Sequence, residues 1–254
     1  MKIKKMFSIV MAMVLGITCT TISVSAECIP TQQTQTIAMA GSEASETIKN
    51  KIEQTGVDIT NESTIQLVPI SSSQETQNTA LVITNTVGNI VTKDVLMMVT
   101  DEGVGFEQGG DVSTRAGSTA EFPPLSWDGR YVIRGTAVYN QYSNGLFSSF
   151  YQPIGAYFIY QKYESCTVSN IEMLYICDGF EYSYPGFEDL DSSELEYVIT
   201  VTKSSPAEST MYSTTKEYNT NRVIYIDSGS PFVGQFLTFN TVVDGKSDGY
   251  TVKL

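Results

Sequence analysis

Histidine is absent from all 254 residues. Without an imidazole there is no Ser–His or Cys–His pair to activate a nucleophile, and the commonest metal ligand is missing. Ser–Lys and Thr nucleophile arrangements stay open on composition alone. Tryptophan occurs once, as Trp127, and cysteine four times, with no CxxC spacing to hold a zinc ion. Basic residues are scarce, 15 Lys and Arg against 28 Asp and Glu. A surface so acidic repels nucleic acid and anionic lipid, which are bound through Lys and Arg clusters. Phosphate-binding fingerprints are lacking too, since Gly103-Val104-Gly105 has neither the third glycine nor a helix behind it.

The one long apolar run lies at the start. Lys2, Lys4 and Lys5 precede a stretch, Met6 to Ile17, that is apolar apart from Ser8 and too short to span a bilayer as a permanent helix. Val24-Ser25-Ala26 supplies the small-residue pattern that signal peptidase cleaves, so residues 1–26 are expected to be a signal peptide and Glu27 the first mature residue. Neither Cys19, after Thr18, nor Cys28, after Glu27, suits lipidation. No second apolar run and no LPxTG-like tail follows, which predicts a secreted, extracellular protein without a transmembrane segment in its mature chain. Removing residues 1–26 takes away three lysines and no acid, moving the formal charge from −13 to −16.

In an oxidising compartment Cys166 and Cys177 are the best disulfide candidates, although a hairpin turning at Ser169-Asn170 would not set them directly opposite each other. Cys28 is left over near the mature N-terminus, free or paired between molecules.

Residues 27–63 read as a Thr/Gln-rich spacer with one short helix over Ser42 to Gln54, capped by Ser42 and ended by Gly56. The period then changes to two. Thr64 to Ile70, Thr79 to Val87 and Ile90 to Thr100 form a small β region over 64–106, with Gly88-Asn89 as a two-residue turn. Residues 107–126 have the Gly/Ser/Pro composition of a linker, with Arg115-Ala116 as the expected protease nick.

Residues 127–254 carry a series of strands, beginning with one that puts Tyr131, Ile133, Ala137 and Tyr139 on one face and Val132, Arg134, Thr136 and Val138 on the other. Phe150 to Tyr160, Ile171 to Cys177, Glu196 to Thr202, Arg222 to Asp227, Phe232 to Val243 and Tyr250 to Lys253 follow. Alternation without helical periods predicts a mainly β protein whose C-terminal domain is an antiparallel β-sandwich, Ig-like or jelly-roll-like. The small β region is either a separate domain or a source of edge strands for the sandwich.

Three groups of residues could carry function. Trp127, Tyr182 and Tyr184 are amphipathic aromatics able to stack on sugar rings, though aromatics are also ordinary strand residues. Asp189, Asp191 and Glu194 offer hard oxygen ligands for calcium, without the glycine and regular ladder of a known calcium loop. The surrounding acidic stretch, Asp178 to Glu196, could also be a solvated loop or supply the paired carboxylates of a glycosidase. No cofactor is expected, calcium being the one that these residues could take. The expected function is that of a secreted, non-catalytic binding or adhesion protein, with a glycan or a cell-surface protein as partner. A carboxylate-dependent glycan hydrolase and a purely structural envelope protein are the alternatives.

Overall fold

Val, Ile, Tyr and Thr at period two build almost the whole molecule, because each such stretch buries one face of a pleated strand and leaves the other for a second layer or for water. The computed structural model describes residues 37–72, 79–101, 104–106, 125–145, 149–216, 218–227 and 233–254. The expected signal peptide, Cys28, most of the linker and the Arg115 site fall outside the described residues.

In chain order the elements are β1 (Ile37–Ala40), α1 (Glu46–Glu53), β2 (Thr64–Ser72), β3 (Thr79–Val87), β4 (Ile90–Val99), β5 (Tyr131–Tyr142), β6 (Phe150–Lys162), β7 (Val168–Ser183), β8 (Asp189–Ser204), β9 (Tyr212–Thr215), β10 (Arg222–Tyr225), β11 (Gly234–Val243) and β12 (Lys246–Lys253). Hydrogen bonding runs β2-β12-β11-β7-β10-β6-β5-β4-β3, and β3 pairs back onto β2. The sheet is therefore a closed nine-stranded antiparallel β-barrel rather than the expected sandwich. β1 extends it beside β2, β8 beside β7 and β9 beside β6.

The correction has a specific cause. Alternation gives each strand an inner and an outer face but says nothing about which strand meets which, and a sandwich and a barrel spell the same pattern. Closure comes from contacts remote in sequence, above all Ile70 against Val252 and Ser71 against Thr251, which join β2 to the last strand. Through β12 on one side and β5 on the other, the strands of 64–106 share that sheet.

Inside the barrel, Tyr131, Ile133 and Tyr139 of β5 meet Met173 and Tyr175 of β7 and Leu237 and Phe239 of β11 in one buried cluster. Burying side chains of this size contributes roughly 1.5–3 kcal/mol each. Gly135 makes room for the centre of this core: a Cβ there would lie 2.2 Å from Phe239 Cζ and 2.9 Å from Met173 Sδ.

Outside the barrel a second cluster covers β2 to β5, where Ile65, Leu67, Leu81, Ile83, Leu96, Met98 and Val132 meet Ile52 of α1 and Val57. The helix is shorter than the sequence predicts, because Ser45 rather than Ser42 caps it, its Oγ accepting from Ile48 N at 3.4 Å. Gly56 ends the following turn at φ +81°. Arg134 clamps this end of the helical segment to the wall: Nε donates to Asp94 Oδ1 at 3.0 Å, Nη2 donates to the Tyr157 hydroxyl at 2.8 Å, and Nη1 donates to the Gly56 carbonyl.

One charged residue breaks the inward pattern. Lys93 occupies the inner-face register between Val91 and Val95, opposite Thr84 and Ala137. Burial pushes its amine down from 10.5 to about 8, and among the described residues no charged group offsets that burial.

The expected disulfide does not form. Cys166 and Cys177 are free and buried. Ser169-Asn170 is no turn but part of β7, which continues from Val168 with a bulge at Ser169. At strand rise Cys177 is about 30 Å along from Val168, far beyond the ~7 Å that a disulfide bridges.

Candidate functional site

The sequence puts Trp127-Asp128-Gly129-Arg130 just ahead of β5, and the glycine decides how this segment can lie. A Cβ on Gly129 would sit 2.4 Å from Met98 Sδ and 2.9 Å from the Val99 carbonyl, so only glycine passes so close beneath the end of β4. Arg130 N then donates to Val99 O at 2.7 Å, and Arg130 O accepts from Tyr163 N at 2.8 Å and Glu164 N at 3.0 Å. These bonds fix the chain between two neighbouring strand ends and leave Trp127, Asp128 and the Arg130 side chain around a cleft.

That cleft has a volume of about 560 Å³. Trp127 and Tyr163 supply its aromatic walls, Lys51 from the last turn of α1 lines another side, and Asp101, Asp128 and Glu164 bring carboxylates. Trp127 packs edge-on against Phe106, with centroids 4.8 Å apart and planes at 66°. It belongs to the partly buried rim of the outer cluster, held there but not covered. Tyr163 is 49% exposed.

Two carboxylates orient Arg130. Nε lies 3.3 Å from Asp101 Oδ1, and Nη2 is bonded to Asp244. Asp244 sits in the turn between β11 and β12, where its Oδ1 also accepts from Thr167 N at 2.8 Å. The Thr167 amide first, and then the Arg130 guanidinium, hold the Asp244 carboxyl below its ordinary range. Sequence reasoning singled out Trp127 but not Arg130, Asp244 or Tyr163. No local signal links Arg130 to an aspartate 114 positions away.

Tyr182 and Tyr184 lie elsewhere. Arg130 and Trp127 mark one end of β5, whereas Tyr142 at its other end stacks on Tyr184 with centroids 4.4 Å apart. The length of β5, about 36 Å at strand rise, separates the two places. The structure thus brings Tyr182 and Tyr184 into one aromatic cluster and leaves Trp127 out of it. Phe150 is the hub, with Tyr182 at 5.4 Å, Phe187 at 4.7 Å and Tyr225 at 5.6 Å. Tyr184 joins through Phe187, at 5.7 Å. Ser183, whose backbone and hydroxyl bond to Glu188 and Phe187, closes the turn that holds these rings.

The acidic stretch is a β-hairpin rather than a long loop. Asp178 pairs directly with Glu196, Phe180 with Glu194 and Tyr182 with Asp189. Burial, reinforced by Glu194 and Glu196, pushes the Asp178 carboxyl upward, and its Oδ1 is buried without a hydrogen-bond partner. Asp189 and Glu194 are therefore on the extended strand β8, and the Asp191 side chain lies outside the described residues. Among the described residues no group of three or more Asp, Glu, Cys or His side chains is spaced to hold a metal ion.

Ser213 and Lys216 have the Ser-x-x-Lys spacing of some hydrolases. They fall on and just after β9, where positions three apart point to opposite faces. Lys216 Nζ is engaged instead with the Val198 carbonyl at 3.1 Å and the Tyr197 ring at 4.8 Å.

Among the described residues no helix is long and apolar enough to cross a membrane. Compared with known proteins, the chain matches no protein family, no curated protein and no solved structure.

Proposed function

We propose that the chain is an exported, non-catalytic binding or adhesion protein of the extracellular space, and that it takes its ligand in the cleft beside Trp127. The arrangement of Arg130 carries this reading. A guanidinium tied to Asp101 and Asp244, in a cleft that Trp127 also lines, is held in place before any ligand arrives, which reduces the entropy lost on binding. A cleft with aromatic walls and a few convergent polar groups is the ordinary form of a small-molecule or glycan site. Support for export comes from the lysine-led apolar run, the Val24-Ser25-Ala26 cleavage pattern and the acidic composition.

The test is retention of the exported chain on insoluble peptidoglycan, mucin and plant polysaccharide. Retention that Trp127→Ala removes is expected; retention that survives the change would contradict the site.

A glycan hydrolase is the second reading, and Asp178 is the observation that favours it. A carboxyl raised by burial and by two like charges has the character of a general acid. It sits on the β7–β8 hairpin and not among the cleft residues. Sugar release abolished by Asp178→Asn would establish that reading instead.

A further inference from the structure

Resting on the cleft reading above, we infer that its ligand is an uncharged saccharide, lying with a C–H face of one sugar ring on Trp127 and its hydroxyls on the surrounding charged side chains. Three features of the cleft point to this chemistry.

The first is the ring itself. Phe106 meets Trp127 edge-on and the outer cluster supports it, so the indole is a fixed plane at the edge of open space. An indole presents a broad apolar face beside a polar N–H, which suits a pyranose ring, apolar on its faces and polar at its rim.

The second is charge. Asp101, Asp128 and Glu164 outnumber Lys51 and Arg130 around the cleft, and Arg130 is already neutralised by Asp101 and Asp244. An anionic ligand would be repelled by this excess of carboxylates, since Arg130 is already engaged. A neutral polyol avoids that repulsion. Each hydroxyl donates as well as accepts, so it can give to Asp128 or Glu164 and receive from Lys51.

The third is size. A volume of about 560 Å³ gives room for a small organic ligand, and Tyr163 offers a second ring on a separate strand end for a neighbouring sugar unit.

Trp127 is the only tryptophan, so intrinsic fluorescence reports on this cleft directly. The full exported chain is titrated with neutral hexasaccharides of the cello, xylo, manno and laminari series, with oligogalacturonate as the anionic probe and chitosan oligomers as the cationic one. A saturable change with a neutral hexasaccharide, weakened about tenfold or more by Asp128→Ala, is the expected result. Asp128 is exposed, so its replacement leaves the fold intact. A response to the charged probes alone would overturn the saccharide class as stated while leaving Trp127 as the binding site. Silence of Trp127 toward every probe would also overturn the class. If Trp127→Ala then still removed retention on an insoluble support, the cleft reading would stand by itself; retention indifferent to that change would end both.

Discussion

Replacing Lys93 with methionine should stabilise the protein, and the gain should depend on pH in a definite way. Methionine keeps the length of the side chain and removes the charge. In the folded barrel the amine titrates near 8, against 10.5 when unburied. A difference of that size between the two states corresponds to about 3 kcal/mol. Lys93 is half-buried by area, so its end retains some water, and the realised gain should be nearer ~1–2 kcal/mol. Folding favours the neutral amine, so the unfolded chain binds the extra proton between pH 8 and 10.5 and stability contributed by this group rises with pH. Its cost is complete below about pH 8 and gone above about 10.5. Urea and thermal unfolding of both proteins at pH 7 and pH 10 isolate it, because every other titrating group is common to the pair. Lys93→Met should be more stable at pH 7, by about 2–4 °C in Tm for each kcal/mol, and the gap should shrink markedly at pH 10. A gap of the same size at both pH values, or a loss of stability at pH 7, would refute the inward, uncompensated placement of Lys93.

Other consequences are equally checkable. Arg134→Met strands the buried Asp94 carboxylate and should cost about 3–5 kcal/mol in urea unfolding, much of it restored by adding Asp94→Leu; a loss below ~1 kcal/mol would contradict the clamp. Gly135→Ala forces a methyl into Phe239 and should cost at least ~1–3 kcal/mol, whereas wild-type stability would mean that the centre of the barrel is not filled as described. Burial raises the Cys166 and Cys177 thiols, so both should be unreactive toward a thiol reagent in the native state. Denaturation without reductant should then raise the thiol count by two, and no rise would mean that they are bridged.

Local pattern carried much of the fold. The alternation of Tyr131, Ile133, Ala137 and Tyr139 marked the inner face of β5, and Gly88-Asn89 marked a hairpin turn, because these depend on neighbours along the chain. Closure was not legible: Ile70 and Val252 carry no mark of their partnership. The cysteine pairing failed for a related reason. Ser169-Asn170 has turn composition, but pairing with β11 and β8 on the flanks of β7 outweighs it. Asp248-Gly249, another turn-like pair, is likewise absorbed into β12 against Thr241 and Asn240. In the candidate site Trp127 was visible as an amphipathic aromatic able to stack on a sugar ring. Arg130, Asp244 and Tyr163 were not, since they meet only when the ends of β5, β6 and the β11–β12 turn come together.

The claim that function resides at the Trp127 end is tested most directly by comparing Tyr163→Ala with Tyr184→Ala for retention on whichever insoluble support holds the wild-type chain. Tyr163 belongs to the cleft and Tyr184 to the aromatic cluster at the far end of β5. The account predicts that Tyr163→Ala weakens retention and Tyr184→Ala leaves it unchanged; the reverse pattern would contradict it and move the binding surface to the opposite end of the barrel.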